Sequence, residues 1–352
     1  MVYRRIFPAL LSHCIFLAFG LPAARAETGG TAQNAAESKS DSASPFAPAR
    51  KLLQLGKYDE AITQLEALRQ LNPPPAGLSH ELGVAYYRKG DYVNAGLNLQ
   101  AAQKENPKDE EAVQLTGLSL YLAGKPGEAI PYLEKVQAWY PEANVDASYI
   151  LGVAYIQTKQ YPEARAAFAK MFGVGPDSAP AYLFCGRMLL RLDFGPVARE
   201  YGQKAIALDP KLPMAHFLLG ELYLYESKIP EATAQFEQEL ALNPGYAAVY
   251  YKLADAYLRT QKFDEAEKLL QRSIWLDATS TGPFILMGKV LQKKGETELA
   301  VRALQRAISM DPNNAMPHQL LGQAYRQLGR PEDAERELKQ AEQLQMRDSS
   351  KP

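Results

Sequence analysis

Beyond the N-terminal leader, three histidines (His80, His216 and His318) and one cysteine (Cys185) have the chemistry to ligate a metal or act as a base or nucleophile. Their spacing suits none of these tasks. His80-Glu81 opens in the manner of a zinc-protease helix, but the second histidine that such a helix needs one turn later does not follow. Gly173-Val174-Gly175 is too short to cradle a phosphate. The sequence therefore predicts no enzyme, no cofactor and no metal. What the chain does have in quantity is tyrosine, 20 residues of it, together with arginines such as Arg187 and Arg191, one helical turn apart. These side chains bind rather than react, because they offer large contact area and fixed donors at little entropic cost.

Composition narrows the setting. The chain has 352 residues, 47% of them hydrophobic, with 39 basic and 40 acidic side chains. That is enough apolar surface for a large core, and the charge balance gives no reason to expect nucleic acid. The first 26 residues read as a signal peptide: Arg4 and Arg5, an apolar run from Ile6 to Leu21, then Ala24-Arg25-Ala26 before a cleavage expected after Ala26. An uncleaved membrane anchor is the alternative, opposed by Pro8, Ser12 and His13 within the run. Residues 27–44 are small and polar and read as a flexible linker. A protein with no membrane span after cleavage, in the periplasm or cell envelope, is the expectation, with an oxidising surrounding that suits its single remaining cysteine.

The binding side chains must be held by something, and the chain supplies a period. LGVAYYRKGDYVNA at Leu82, LGVAYIQTKQYPEA at Leu151, LGELYLYESKIPEA at Leu219, LADAYLRTQKFDEA at Leu253 and LGQAYRQLGRPEDA at Leu321 recur at multiples of 34 residues, with one extra residue between 140 and 145. Nine units start near residues 42, 76, 110, 145, 179, 213, 247, 281 and 315 and cover residues 45–348, leaving 349–352 as a tail. Apolar residues recur at helical spacing in two runs per unit, so each unit reads as two helices. Pro162, Pro196 and Pro230 open second helices, where a missing N–H costs nothing. Glycines such as Gly83, Gly152 and Gly220, and an alanine in all nine units from Ala61 to Ala334, mark where the helices approach most closely. Cys185 occupies a position that other units fill with leucine and is expected to pack in the core, as are Trp139 and Trp275.

In its Leu82, Gly83, Tyr86, Gly90, Tyr92, Ala95, Leu99, Ala102 and Pro107, the second unit closely resembles the tetratricopeptide repeat, and the other units keep the same register. The resemblance implies an all-α, right-handed superhelical solenoid of about nine helix-turn-helix units, with the first helix of each unit lining a concave groove. The fifth unit departs from the pattern at Asp193, Gly195 and Gly202, which predicts looser packing over residues 193–205.

Carried onto this sequence, the family geometry puts repeat positions 2, 5, 9, 12 and 13 in the groove. The side chains so placed are Tyr87, Arg88, Tyr121, Tyr149, Ile156, Arg187, Arg191, Phe217, Tyr225, Tyr251 and Arg259, then Lys289, Lys293 and Arg326, with Glu111, Asp146, Glu221 and Asp255 as the acids. No unit pairs lysine at position 5 with asparagine at position 9, so the carboxylate clamp of chaperone-binding relatives is not expected. The groove is expected to take a peptide segment of an exported or envelope protein. The alternative is a polysaccharide stacked on the aromatic rings, in a secretion or cell-wall system.

Overall fold

The computed structural model describes residues 44–139 and 145–349. Among them are 18 helices and no strand. The leader, residues 27–43 of the linker, the extra residue expected between 140 and 145, and residues 350–352 lie outside the described residues. Two compact units divide the chain, Met1–Asp177 and Ser178–Pro352.

The first unit holds four helix pairs: α1 (Ala47–Gln54) and α2 (Tyr58–Leu68), α3 (Leu78–Lys89) and α4 (Tyr92–Glu105), α5 (Glu110–Leu122) and α6 (Pro126–Trp139), α7 (Val145–Gln157) and α8 (Tyr161–Met171). The second holds five: α9 (Ala179–Arg191) and α10 (Gly195–Leu208), α11 (Ala215–Tyr225) and α12 (Ile229–Leu242), α13 (Ala247–Arg259) and α14 (Phe263–Leu276), α15 (Thr281–Lys294) and α16 (Thr297–Met310), α17 (Ala315–Gln327) and α18 (Pro331–Ser349). Within each unit a first helix packs on its own second helix, and that second helix packs on the first helix of the next repeat. No pair can bury its apolar face alone, so stacking completes the core. In the second unit neighbouring first helices also touch, α9 with α11, α11 with α13, α13 with α15 and α15 with α17, so they form one continuous layer.

Small residues set the spacing inside each pair. The recurring alanines, Ala61 through Ala334, are all at most 1% exposed. A Cβ on Gly83 would lie 2.5 Å from Leu99 Cγ, and one on Gly288 would lie 2.5 Å from Leu304 Cγ. Both glycines therefore leave room for a leucine of the second helix. The fifth repeat solves the problem differently. Gly202 stands where others carry a large side chain, and Leu218 and Leu219 of the next repeat's α11 fill the gap, with Leu219 Cδ2 2.8 Å from where a Gly202 Cβ would be. The looseness expected over residues 193–205 is therefore absent: Ala198 and Ala205 are fully buried and Tyr201 is 7% exposed.

The turn inside every repeat passes through a left-handed residue. Gly56, Gly90, Gly124, Gly295 and Gly329 serve five repeats, with φ from 69° to 86°, and Lys159, Asp193, Ser227 and Gln261 take the same conformation at φ 60–68°. Asp193 thus departs from the repeat in residue type and not in backbone shape. Pro162, Pro196 and Pro230 lie in the first turns of α8, α10 and α12. The last helix buries Ala334, Ala341 and Leu344, is polar at most of its other positions, and runs through Ser349, the first residue of the expected tail.

Candidate functional site

The side chains of the first helices fall into two groups: those already engaged within the protein and those left to solvent. In the first unit most are engaged. Arg50 Nε donates to Glu81 Oε1 at 3.0 Å, and Glu81 itself is nearly buried. Tyr87 is half-buried, with its ring edge-on to Tyr92 at 5.8 Å. Burial pushes its hydroxyl up to about 12. Tyr121 is likewise half-buried and pushed up to about 12, chiefly by burial, while a hydrogen bond with Gln157 acts in the opposite direction. Tyr149 tilts against Phe168 at 6.3 Å between centroids, and Ile156 is fully buried. Arg88 is exposed. The side chain of Asp146 lies outside the described residues.

His80 holds a place that sequence reasoning missed. Its Nδ1 is 2.7 Å from Asp109 Oδ2 and its Nε2 is 3.5 Å from Glu111 Oε2. Asp109 is fixed there because its other oxygen caps α5, accepting from Ala112 N at 2.9 Å. The hydrogen bond with Glu111, then that with Asp109, raises the His80 pKa to about 9 against the opposing effect of burial. Glu111 is held below the usual carboxylate range by the same histidine. The imidazolium therefore stabilises the native state fully below its unfolded value near 6.5, and that contribution disappears as pH rises through 9. Replacing His80 with Gln is expected to lower the thermal midpoint by ~2–4 °C at pH 6, since a partly exposed ion pair contributes on the order of 1 kcal/mol. The difference should vanish above pH 9.5, as read by circular dichroism melts across the range. The legible signal was Asp109 at a helix N-cap, followed by Glu111.

In the second unit Phe217, read from the sequence as a groove residue, is spent in the core. It is 5% exposed, and its ring packs 5.9 Å from Phe236 and 5.2 Å from Tyr246. Tyr251 is half-buried against α15, where a Cβ on Gly282 would meet its Cζ at 3.3 Å, and burial raises its pKa. Arg187 is partly buried, with Nη1 3.5 Å from Met214 Sδ. Glu221 pairs with Lys252 at 2.8 Å, and Asp255 pairs with Arg259 at 2.9 Å. Arg259 Nη1 also donates to the Leu224 carbonyl at 3.4 Å, and the Tyr225 hydroxyl donates to Asp193 Oδ1 at 3.3 Å. The bonds of Glu221 and Leu224 tie α13 to α11, and that of Tyr225 ties α11 to the turn that follows α9. Tyr225 nonetheless presents 71% of its surface to solvent. Arg191, Lys289, Lys293 and Arg326 are exposed, and none has an ion pair among the described residues.

The other chemistry-bearing residues are structural. His216 Nδ1 is 2.8 Å from Gln235 Oε1, and His318 Nδ1 is 2.7 Å from Glu337 Oε2, the same two repeat positions in each case. Cys185 is fully buried. Among the described residues no group of three or more His, Cys, Asp or Glu could hold a metal ion. Trp275 does not pack in the core as expected: it is 72% exposed, with the Arg272 guanidinium 4.3 Å above its ring. Trp139 is 41% exposed.

A family model for the tetratricopeptide repeat matches residues 120–187 and 291–350, and a second model of the same description matches residues 46–110 and 217–283. The chain belongs to the tetratricopeptide repeat family. The BBSome complex member BBS4 of Bos taurus is 29% identical over 141 residues, 40% of this chain and 27% of that protein, so this chain spans little more than a quarter of that relative's length. Similar solved structures include MamA from Desulfovibrio magneticus RS-1 (19% identity, 49% of this chain and 98% of that one, TM-score 0.45). Another is YrrB, described as "a TPR protein with an unusual peptide-binding site" (22% identity, 52% and 93%, TM-score 0.43). The tetratricopeptide repeat fold is that of a scaffold for protein–protein interaction. Among the described residues no helix is long and apolar enough to cross a membrane.

Proposed function

We propose that this protein is a non-catalytic scaffold or assembly factor of the cell envelope, exported by its leader, that holds a segment of a partner protein on the layer of first helices. One observation carries the proposal. Once internal bonds are accounted for, the second unit still exposes Tyr225, Arg191, Lys289, Lys293 and Arg326 along one layer. Exposed tyrosine and unpaired arginine are residue types enriched in binding surfaces, and the lysines add charge to the same layer. The cations without ion pairs favour a peptide over a neutral glycan, which has no charge to offer them.

A photoreactive phenylalanine analogue placed at residue 225 of the full chain, with the same analogue at residue 275 as control, tests this in living cells. A partner protein crosslinked from 225 and absent from 275 is the expected result, with the bait recovered at the mass of a chain lacking residues 1–26. Equal labelling from both positions, or none from 225, would overturn the docking layer. A bait of unprocessed mass would overturn cleavage of the leader.

A further inference from the structure

Charge is sorted between the two layers of the second unit. The whole chain is nearly balanced at 39 basic and 40 acidic side chains. Yet the five first helices α9, α11, α13, α15 and α17 carry eight Lys or Arg and two carboxylates, whereas their second helices carry fourteen carboxylates and nine Lys or Arg. Both first-helix carboxylates are consumed internally, Glu221 by Lys252 and Asp255 by Arg259. Lys294 is drawn to the acids of α14 and the adjoining turn, 2.5 Å from Glu267 and 2.9 Å from Asp264. The cations that remain repeat in register. Arg187 and Arg191 on α9, and Lys289 and Lys293 on α15, occupy the same two repeat positions, one turn apart. Like charges at that spacing repel within a helix, and nothing in the fold neutralises Arg191, Lys289 or Lys293.

Resting on the reading of the first helices as the docking layer, we infer that the second unit selects an acidic segment of its partner, whose carboxylates sit on Arg191, Lys289, Lys293 and Arg326. Charge complementarity is the argument. An incoming carboxylate relieves repulsion that the fold leaves standing, and arginine can hold it through two parallel hydrogen bonds. Exposed Tyr225 supplies apolar area on the same layer. A nucleic acid would meet the same cations, but it would also face the acidic surface of the second helices.

The test is selection of a random 12-residue peptide phage library on the full chain. Synthetic versions of the enriched peptides are then titrated by fluorescence anisotropy. The comparison protein is the full chain with Lys289→Gln, Lys293→Gln and Arg326→Gln, exposed changes that should leave the melt unchanged. Enriched peptides should be rich in Asp and Glu, bind at least about tenfold more weakly to the triple variant, and weaken by about tenfold from 50 to 500 mM NaCl. Peptides without excess acid that are still displaced by a Tyr225→Ala change would overturn the acidic preference while leaving the docking layer standing. Peptides indifferent to every one of these substitutions would overturn both. So would the absence of any enriched peptide, and tighter binding of a single-stranded DNA 20-mer than of the acidic peptides would also overturn the inference.

Discussion

Gly220→Leu is expected to be among the most destabilising single changes in the chain, lowering stability by ~3 kcal/mol. A Cβ alone at this position would lie 2.4 Å from Phe236 Cε1 and 2.6 Å from Cδ1, inside any real carbon–carbon contact. Phe236 cannot yield, because it is fully buried and Phe217 packs against it at 5.9 Å. Interiors packed to this density transmit the misfit to neighbouring helices instead of absorbing it. Gly152→Leu should act in the same way in the first unit, where Phe168 Cε1 and Cζ are each 2.6 Å from the added carbon, at a cost of ~1–3 kcal/mol. Urea titrations followed by circular dichroism will read both. Two controls separate crowding from other causes. Gly245→Ala, with nothing within 4 Å of the added carbon, should leave the midpoint in place. In a Phe236→Ala background Gly220→Ala should cost less than it does in the parent, because the ring that the new methyl group would meet is gone. A Gly220→Leu protein as stable as the parent would mean that these two helices do not approach as described.

The residues that set helix spacing were legible in the sequence because the constraint on them is local and recurs. Every repeat needs a small residue where its own two helices meet, so alanine appears from Ala61 to Ala334 without exception and is buried each time. What a groove residue does is not local. Phe217 and Tyr251 hold the same repeat position, yet Phe217 is enclosed by Phe236 and Tyr246 while Tyr251 lies half-exposed over Gly282. The deciding atoms belong to the second helix and to the next repeat, where the pattern tolerates many residue types. Gly202 makes the same point from the other side: it reads as a packing fault until Leu219 of the following repeat is seen to fill the space. Tyr225 stays exposed because it sits at the last turn of α11, clear of the rings that bury Phe217. Surface cations were visible from the start, but which of them stay unpaired depends on Glu221, Asp255 and Glu267, residues that the repeat does not specify.

Replacing Glu239 with Ala should cost ~2–4 kcal/mol, for a reason that no repeat pattern contains. Glu239 stands on α12 where Ala102, Ala205, Ala307 and Ala341 stand in other repeats, and it is fully buried. A carboxylate removed from water is costly unless its oxygens are met by donors. Here they are met: Oε1 accepts from Met214 N at 2.8 Å and Oε2 from Phe217 N at 3.3 Å. These amides open α11, whose own cap residue Met214 is left-handed at φ 71° and supplies no side-chain oxygen. The cap that the local sequence lacks is thus delivered by the partner helix, and the positive end of the α11 dipole offsets the buried charge. Truncation would leave both amides unbonded beside a cavity. Glu239→Gln keeps one strong acceptor and should lose about half as much. Hydrogen exchange distinguishes this cap from a general packing role: in Glu239→Ala the Met214 and Phe217 amides should exchange much faster, while those in the middle of α13 change little. Uniform acceleration across the second unit would instead make Glu239 a packing residue. Because α11 carries Tyr225 into the proposed docking layer, a frayed first turn should also weaken partner binding, although Glu239 itself is fully buried.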